Sequence, residues 1–272
     1  MSDSHLPSLQ PSGKLRAIPL NSPLLRGDRE GLGARAISLK VSRQPNGEPE
    51  IFHSLQGEGA AIGTPSVFLR LALCNLVCTY CDTAYTWDWR RYDYKREVIE
   101  LSLEQVEESI LRHGCPHLVI TGGEPLLQQK GLAPLVRPLK ERGFSFEVET
   151  NGTITPSPQL ERDIDQWNVS PKLATSSNAL HRREVPQALA SFSRLPSAYF
   201  KFVIVESADL KEVRTLVEKY DLPRERVILM PEGQTLGALQ ERSRWLSQVC
   251  IEEGFRFTPR LHILLWGDKR GT

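Results

Sequence analysis

The sequence predicts an α/β fold built on a mostly parallel sheet, either a barrel or an open doubly wound sheet. Two observations support this prediction. From Glu50 onward, short apolar runs typical of buried strands alternate with stretches whose apolar residues recur at helical spacing. Polar or Gly/Pro-rich segments also follow five of the predicted strands, at the edge where parallel barrels build their active sites. The alternation therefore favours crossover helices and one functional edge.

Seven short apolar runs are predicted as strands, and helices fit between most of them. The predicted strands cover residues 66–73, 117–121, 145–149, 167–169, 198–205, 227–230 and 261–265. Ser102 and Gln105 form a capping-box pattern at the start of the first helix, and Gly114 ends it. The other predicted helices cover residues 132–142, 209–220 and 236–250.

Composition limits the class of protein before any motif is considered. Of the 272 residues, 40% are hydrophobic and 25% are charged, which excludes a fibrous or wholly disordered chain. The net charge of +1 implies no nucleic-acid partner, and no apolar stretch approaches the ~20 residues of a membrane span. Three of the five cysteines are clustered, which favours reduced thiols over disulfides. We expect a cytoplasmic, metal-dependent protein that binds no membrane.

Residues 1–46 are predicted to be a flexible tail, followed by a core domain over residues 47–272. The tail contains five prolines, and seven Lys or Arg against three Asp or Glu. It has no apolar period long enough to bury a face. An organellar transit peptide is an alternative, because the segment bears arginines and few acids. We expect a chain that starts near Pro45 to keep its fold and activity.

The most specific signal is a triplet of cysteines, Cys74, Cys78 and Cys81, within eight residues. A structural zinc site needs four protein ligands, and no second cysteine pair is present. Cys115 precedes the second predicted strand and Cys250 lies on the apolar side of a helix, so neither is expected to be a ligand. Three thiolates suit a four-iron cluster with one iron open to a small molecule. A partly occupied zinc site is the alternative.

The triplet, with Tyr80 before its last cysteine, resembles the radical S-adenosylmethionine superfamily, and the Gly-Gly-Glu-Pro segment at 122–125 matches the superfamily's second hallmark. The resemblance implies a partial or modified TIM-type (β/α) barrel that binds a [4Fe-4S] cluster and S-adenosylmethionine. Reductive cleavage of that cofactor releases a 5′-deoxyadenosyl radical. An electron donor of flavodoxin or ferredoxin type is also implied. The implied cofactor-binding residues are Tyr80, Gly123, Glu124, Ser170, Pro171, Lys172, Met230, Pro231, Glu232 and Gly233.

A narrower resemblance extends over roughly residues 50–267. The segments 50–59 and 78–83, together with Arg70, closely resemble the 7-carboxy-7-deazaguanine synthase family. This implies the ring contraction of 6-carboxy-5,6,7,8-tetrahydropterin to 7-carboxy-7-deazaguanine, with loss of ammonia, in queuosine and purine metabolism. It also implies a homodimer, Mg²⁺ bound at Thr83, and substrate contacts from Leu55, Gln56, Gly57, Arg70 and Thr121. The short cysteine spacing and the long tail depart from some members.

The position of Arg70 can also be argued from the strand pattern. Alternation along residues 66–73 places Arg70 on the same side as Cys74. A buried guanidinium needs an anion, either the substrate carboxylate or a structural partner such as Glu147 or Glu149. We expect it to bind the substrate carboxylate, because substrate and product both carry one.

Two other functions remain open on the sequence alone. A glycyl-radical activase shares the cysteine spacing and the Gly-Gly-Glu-Pro segment, but it would not need Arg70. The other is a non-catalytic module that binds a cluster or zinc.

Two individual residues also have alternative roles. Thr121 is alternatively an ordinary strand residue, and Lys201 is either a lining residue or a member of a buried ion pair.

Overall fold

The computed structural model describes residues 37–272, in which ten strands and nine α-helices are present. The strands are β1 (Ser38–Ser42), β2 (Ile51–Leu55), β3 (Pro65–Leu71), β4 (Val98–Ser102), β5 (His117–Gly122), β6 (Ser145–Thr150), β7 (Gln166–Val169), β8 (Ala198–Ile204), β9 (Val227–Pro231) and β10 (Arg256–Phe257). The helices are α1 (Tyr94–Glu97), α2 (Leu103–Leu111), α3 (Gln129–Glu141), α4 (Pro158–Asp163), α5 (Leu180–Arg183), α6 (Pro186–Ser193), α7 (Asp209–Lys219), α8 (Leu236–Glu253) and α9 (Leu261–Trp266). Within this part of the chain, every helix is too short or too polar to cross a bilayer.

The strands form a single sheet in the order β10-β9-β8-β7-β6-β5-β3-β1-β4, with β2 also paired to β3. The seven strands from β3 to β10 on this path are parallel. The pairs that involve β1 or β2 are antiparallel. The parallel strands follow one another in chain order, without the reversal of a doubly wound sheet, as in a partial (β/α) barrel. The predicted α/β fold with a mostly parallel sheet is therefore confirmed.

The two faces of the sheet have different surroundings. On β3, alternation directs three fully buried side chains into the main core, where the helices cover the sheet: Val67, Leu69 and Leu71. Each such burial contributes about 1.5–3 kcal/mol of stability. The other face carries a separate small cluster, in which the stacked rings of Phe52 and Phe68 have centroids 5.1 Å apart. Arg70 is on this second face, as the alternation predicts.

The helix-boundary signals and most of the predicted strands are confirmed. The Ser102 hydroxyl accepts the Gln105 amide, and the Gln105 side chain accepts the Ser102 amide, which completes the capping box of α2. Gly254 ends α8 in the left-handed conformation, with φ of +70°. Six of the seven predicted strands are present, with ends shifted by at most two residues.

The seventh predicted strand, residues 261–265, is wrong. These residues lie in α9, where Ile263 is buried while Leu264 and Leu265 are exposed. A short continuous apolar run has no period, so it does not distinguish a strand from one face of a short helix.

The predicted boundary between tail and core domain, after residue 46, lies too late in the chain. The last part of the predicted tail contains β1, which pairs with β3 and β4 and has Leu39 and Val41 fully buried. In β1 apolar and polar residues alternate over only five positions, too few for the sequence pattern to be conspicuous among the prolines and glycines nearby. The prediction for residues 1–36 lies outside the described residues.

Candidate active site

The carboxyl ends of the parallel strands surround a cavity of about 440 Å³. Most residues that the sequence predicts for the site line this cavity: Leu55, Gln56, Gly57, Arg70, Cys74, Cys78, Tyr80, Cys81, Thr83, Thr121, Gly123, Ser170, Lys172, Met230 and Glu232. Four predicted cofactor-binding residues are not in its lining: Glu124, Pro171, Pro231 and Gly233. The segments after separate strands therefore meet in one space, as the parallel arrangement predicts.

The sulfur atoms of the cysteine triplet all accept N–H hydrogen bonds. The side-chain amide of Asn178 donates to Cys78 Sγ at 3.3 Å, and the indole of Trp87 donates to Cys81 Sγ at 3.3 Å. Cys74 Sγ accepts the backbone amide two residues further along, at 3.5 Å. Donors directed at sulfur stabilise the thiolate form that binds metal and tune the potential of a cluster.

This arrangement fits an iron–sulfur cluster better than a single metal ion. Across residues 37–272, no three His, Cys, Asp or Glu side chains converge as ligands of one ion. The thiols of Cys115 and Cys250 donate to backbone carbonyls and do not line the cavity. Burial raises the pKa of the Cys74 thiol to about 12 and also raises the pKa of Cys78. Bound iron, as a cation, stabilises such thiolates.

The glycine pair after β5 allows the next loop to lie directly on the end of β3. A Cβ on Gly122 or Gly123 would collide with the backbone oxygen of Leu71 or Leu73. The Gly123 amide donates to Leu71 O at 3.0 Å, and the Glu124 amide donates to Leu73 O at 2.8 Å. Leu73 has φ of +76°, which is rare for a residue with a side chain. These bonds fix the backbone immediately before the first cysteine.

The Glu124 side chain is not part of the cavity lining. It is fully buried behind the cavity wall. Its carboxylate accepts the Thr150 hydroxyl at 2.8 Å, the Asn151 amide at 2.7 Å and the Leu126 amide at 3.0 Å. With both oxygens occupied, this carboxylate fixes the loop after β6.

Arg70 faces the cavity, but its partner is neither Glu147 nor Glu149. Its Nε donates to Glu50 Oε1 at 2.9 Å, and Glu50 is fully buried. Within residues 37–272, Nε is the only atom of this guanidinium that makes a hydrogen bond. Both terminal nitrogens are therefore open to an anion in the cavity.

A hydrogen-bond network that the sequence did not predict lies in the wall beside β6. Glu149 accepts the Thr121 hydroxyl at 2.6 Å and the Gln56 side-chain amide at 3.3 Å. Gln56 also donates to Glu147, which is fully buried and whose pKa is raised by burial. The two glutamates occupy alternate positions of β6 and so lie on the same face of the strand. Two acids with this spacing in an otherwise apolar strand are the sequence pattern from which a buried polar network could have been predicted. The network holds Thr121 and Gln56 in place and presents the Glu149 carboxylate to the cavity.

Lys201 lines the cavity and is also part of a buried ion-pair network. Its ammonium pairs with Glu58, which accepts Arg260 Nε at 3.0 Å. Arg260 also pairs with Asp82, the residue after the third cysteine. Burial alone would raise the pKa of Glu58, but the charges of Lys201, Arg260 and His262 outweigh burial and hold that pKa well below its usual range.

The remaining predicted residues have groups available to a ligand. Lys172 Nζ donates to Ser170 Oγ at 2.9 Å, and both residues line the cavity. The Tyr80 hydroxyl is buried and has no hydrogen-bond partner within residues 37–272. The Thr83 hydroxyl lies 3.7 Å from Cys81 Sγ, a weak contact that leaves the oxygen accessible to a cation.

Known proteins resemble this chain in sequence and in structure. The radical SAM superfamily profile matches residues 71–176. The 7-carboxy-7-deazaguanine synthase of Pyrobaculum aerophilum is 43% identical over 224 residues, which are 82% of this chain and 95% of the relative. That of Halobacterium salinarum is 36% identical over 80% of this chain and 90% of the relative. The crystal structure of QueE from Escherichia coli is 28% identical and covers 83% of this chain and 95% of that chain, with a TM-score of 0.61.

Proposed function

Since the chain belongs to the 7-carboxy-7-deazaguanine synthase family of radical SAM enzymes, we propose that its cavity converts 6-carboxy-5,6,7,8-tetrahydropterin to 7-carboxy-7-deazaguanine. Ammonia is lost as the ring contracts, so the enzyme is a carbon–nitrogen lyase of queuosine biosynthesis. The main supporting observation is that the cysteine triplet and Arg70 line the same cavity. Neither a glycyl-radical activase nor a non-catalytic module needs a guanidinium directed into that space.

The end of the cavity that holds the cysteines fits the iron–sulfur cluster and S-adenosylmethionine. When bound, this pair supplies the radical that begins the reaction. Cys74, Cys78 and Cys81 would hold the cluster. We assign the cofactor carboxylate to Lys172, because its ammonium is oriented by Ser170 at 2.9 Å.

The other end of the cavity offers complementary groups to a carboxylated pterin. We assign the substrate carboxylate to the two terminal nitrogens of Arg70, which can bind it in a bidentate manner. The N–H groups of the pterin ring need acceptors, and the Glu149 carboxylate, held by Thr121 and Gln56, supplies one. A positive group and a negative group at separate points of the wall would orient the substrate.

We assign Mg²⁺ to Thr83, whose hydroxyl lines the cavity beside the cluster ligands. Magnesium takes few protein ligands and completes its octahedron with water and substrate oxygens. Thr83→Ala should raise the magnesium concentration needed for half-maximal activity, while Thr83→Ser should not. If Thr83→Ala needed the same magnesium concentration as the wild type, the assignment of Mg²⁺ to Thr83 would be wrong.

The electron donor is proposed to be an acidic protein of flavodoxin or ferredoxin type. Beside the cluster ligands, Val77 is 43% exposed and Leu180 is 58% exposed. Arg182 donates to the backbone oxygen of Asn75, and no ion pair of Arg182 with a carboxylate is present within residues 37–272. Exposed apolar side chains beside an arginine are complementary to an acidic partner. Dependence on such a donor agrees with the cytoplasmic location predicted from the reduced cysteines.

A homodimer is proposed on the basis of the family resemblance. Exposed apolar side chains on α9, namely Leu264, Leu265 and Trp266, offer a surface for it. Light scattering should give twice the chain mass, and Leu265→Asp should shift the protein toward the monomer. A monomeric wild type would contradict the proposal.

The decisive experiment is an anaerobic assay with the carboxylated tetrahydropterin, S-adenosylmethionine, dithionite and magnesium, read by mass spectrometry. The deazaguanine product is expected only with the reconstituted enzyme. Arg70→Ala should retain iron and uncoupled cofactor cleavage but lose turnover, since a buried charge-assisted interaction contributes ~2–5 kcal/mol. Arg70→Lys should rescue poorly, because an ammonium cannot form two parallel hydrogen bonds. An Arg70→Ala enzyme with full activity would contradict the pterin assignment.

A further inference from the structure

Arg270 reaches the same carboxylate that holds Arg70. Its Nε donates to Glu50 Oε2 at 3.3 Å, and its Nη1 donates to Glu97 Oε2 at 2.8 Å. The guanidinium carbon lies 3.4 Å from the centroid of the Tyr85 ring. Arg270 follows α9 and lies beyond residues 50–267, over which the family resemblance extends. It lines the same cavity.

The two oxygens of Glu50 are divided among different donors. Oε1 accepts Arg70 Nε and the Tyr85 hydroxyl, each at 2.9 Å, while Oε2 accepts Arg270. A buried carboxylate with both oxygens free tends to pair with arginine in a bidentate manner, through Nε and one terminal nitrogen. Here Arg270 donates to Oε2, and Arg70 bonds to Glu50 only through Nε. The terminal nitrogens of Arg70 make no hydrogen bond within residues 37–272, and Arg70 lines the cavity.

We propose that Arg270 is a positioning residue. It occupies the second oxygen of Glu50 and thereby keeps the terminal nitrogens of Arg70 directed at the substrate carboxylate. This inference rests on the proposed role of Arg70. The second terminal nitrogen of Arg270 is buried and without a partner in residues 37–272, so the side chain is held in an environment that its own hydrogen bonds do not fully satisfy. Such a cost is expected where a side chain serves the geometry of a site.

The test compares Arg270→Gln with Arg214→Gln, a matched control whose arginine pairs with Glu253 at the surface, away from the cavity. Both are reconstituted anaerobically with cluster and cofactor. The Kd of the carboxylated tetrahydropterin is measured by calorimetry, and KM and kcat by product formation. Arg270→Gln should raise Kd and KM about tenfold, the factor expected when one charge-assisted hydrogen bond is weakened. Its kcat and uncoupled cofactor cleavage should stay within about twofold of the wild type.

Three further variants and one analogue separate positioning from a purely structural role. Arg270→Lys retains a donor for Glu50 Oε2 and should restore most of the affinity. In a Glu50→Gln background, Arg270→Gln should raise the substrate Kd little further. The amide at position 50 cannot form the bidentate pair with Arg70 that would compete with the substrate carboxylate. A tetrahydropterin analogue without the carboxylate should bind Arg270→Gln and wild type equally.

The outcomes also separate this inference from the proposed function. An unchanged substrate Kd in Arg70→Ala would remove the carboxylate role itself. A weakened Kd in Arg70→Ala with an unchanged Kd in Arg270→Gln would overturn the positioning role alone. A lower melting temperature of Arg270→Gln without a change in Kd, or equal losses for the substrate and the analogue, would likewise overturn it.

Discussion

The carboxylate of Glu58 and the ammonium of Lys201, 143 residues apart in the chain, form a buried ion pair in the cavity wall. Arg260 adds a second cation at 3.0 Å from the same carboxylate. Glu58 follows Gln56 and Gly57 in the loop before β3, whereas Lys201 is on β8. The pair therefore ties the predicted substrate loop to the opposite side of the parallel sheet.

Glu58→Gln is expected to lower stability and to weaken its dependence on pH. The pKa of Glu58 lies below its ordinary value of 4.5, so its contribution is complete above about pH 5 and is lost as pH falls further. At neutral pH the variant leaves two buried cations with a weaker partner, at a cost of about 3 kcal/mol. Between pH 6 and 4 its melting temperature should change less than that of the wild type.

The matched control for this prediction is Glu107→Gln. Glu107 forms a partly exposed pair with Arg142 at 2.8 Å, so its loss should cost little. If the melting temperatures of both variants followed the same course with pH as the wild type, Glu58 would not be the group responsible.

Replacing any one of the three predicted cluster ligands should abolish both iron binding and turnover. The cluster needs all three thiolates, so Cys74→Ala, Cys78→Ala and Cys81→Ala should behave alike. Cys115→Ala and Cys250→Ala serve as controls, because their thiols lie outside the cavity lining. Iron analysis and electron paramagnetic resonance after anaerobic reconstitution provide the measurement. Loss of iron from either control would show that the ligand set is wrong.

Trp87→Phe should lower the reduction potential of the cluster while keeping its iron. The substitution removes the indole donor that lies 3.3 Å from Cys81 Sγ but retains an aromatic ring. A hydrogen bond to sulfur favours the reduced cluster, whose sulfurs carry more charge. The shift should reach up to about 60 mV, since one such bond contributes ~0.5–1.5 kcal/mol. A redox titration with an unchanged midpoint would mean that this hydrogen bond does not tune the cluster.

Six of the seven parallel strands could be predicted, because each is a largely buried apolar run followed by a turn or a functional segment. The seventh, β10, consists only of Arg256 and Phe257 and gives no such signal. The antiparallel strands could not be predicted in the same way. In β1 and β4 only two of the five residues are buried hydrophobics, and each strand also contains two polar residues or more. Their place in the sheet depends on pairing with each other, which local periodicity does not reveal.

The site was predictable where a motif is contiguous in the chain and unpredictable where partners are distant. The cysteine triplet and the glycine pair are local patterns. By contrast, Asn178 reaches Cys78 across 100 residues, and Arg270 reaches Glu50 across 220. Such contacts arise only when the crossover helices have brought the strand ends together. For the same reason the sequence did not predict that Glu50 is the partner of Arg70. The side of β3 on which Arg70 lies was predicted correctly, because it depends only on alternation along the strand.

A chain that starts at Pro45 is expected to lose stability, contrary to the expectation from sequence, because it lacks β1. Leu39 and Val41 are fully buried, and their loss alone costs about 3–6 kcal/mol. It also leaves the facing edges of β3 and β4 without their partner. The control is a chain that starts at Ile37, because it keeps β1 and lacks only residues 1–36. It tests separately whether those residues are dispensable.

The truncation should also weaken cluster retention, through Gln128. The side chain of Gln128 accepts the Lys40 amide at 2.8 Å and donates to the Lys40 and Ala72 carbonyls, each at 3.0 Å. It thus joins β1 to the backbone two residues before Cys74. The point variant Leu39→Ala, at a cost of about 2–5 kcal/mol, disturbs β1 without deleting it. Melting temperature and iron content are measured for all three proteins. If the chain from Pro45 matched the chain from Ile37 in both, β1 would be dispensable despite its burial.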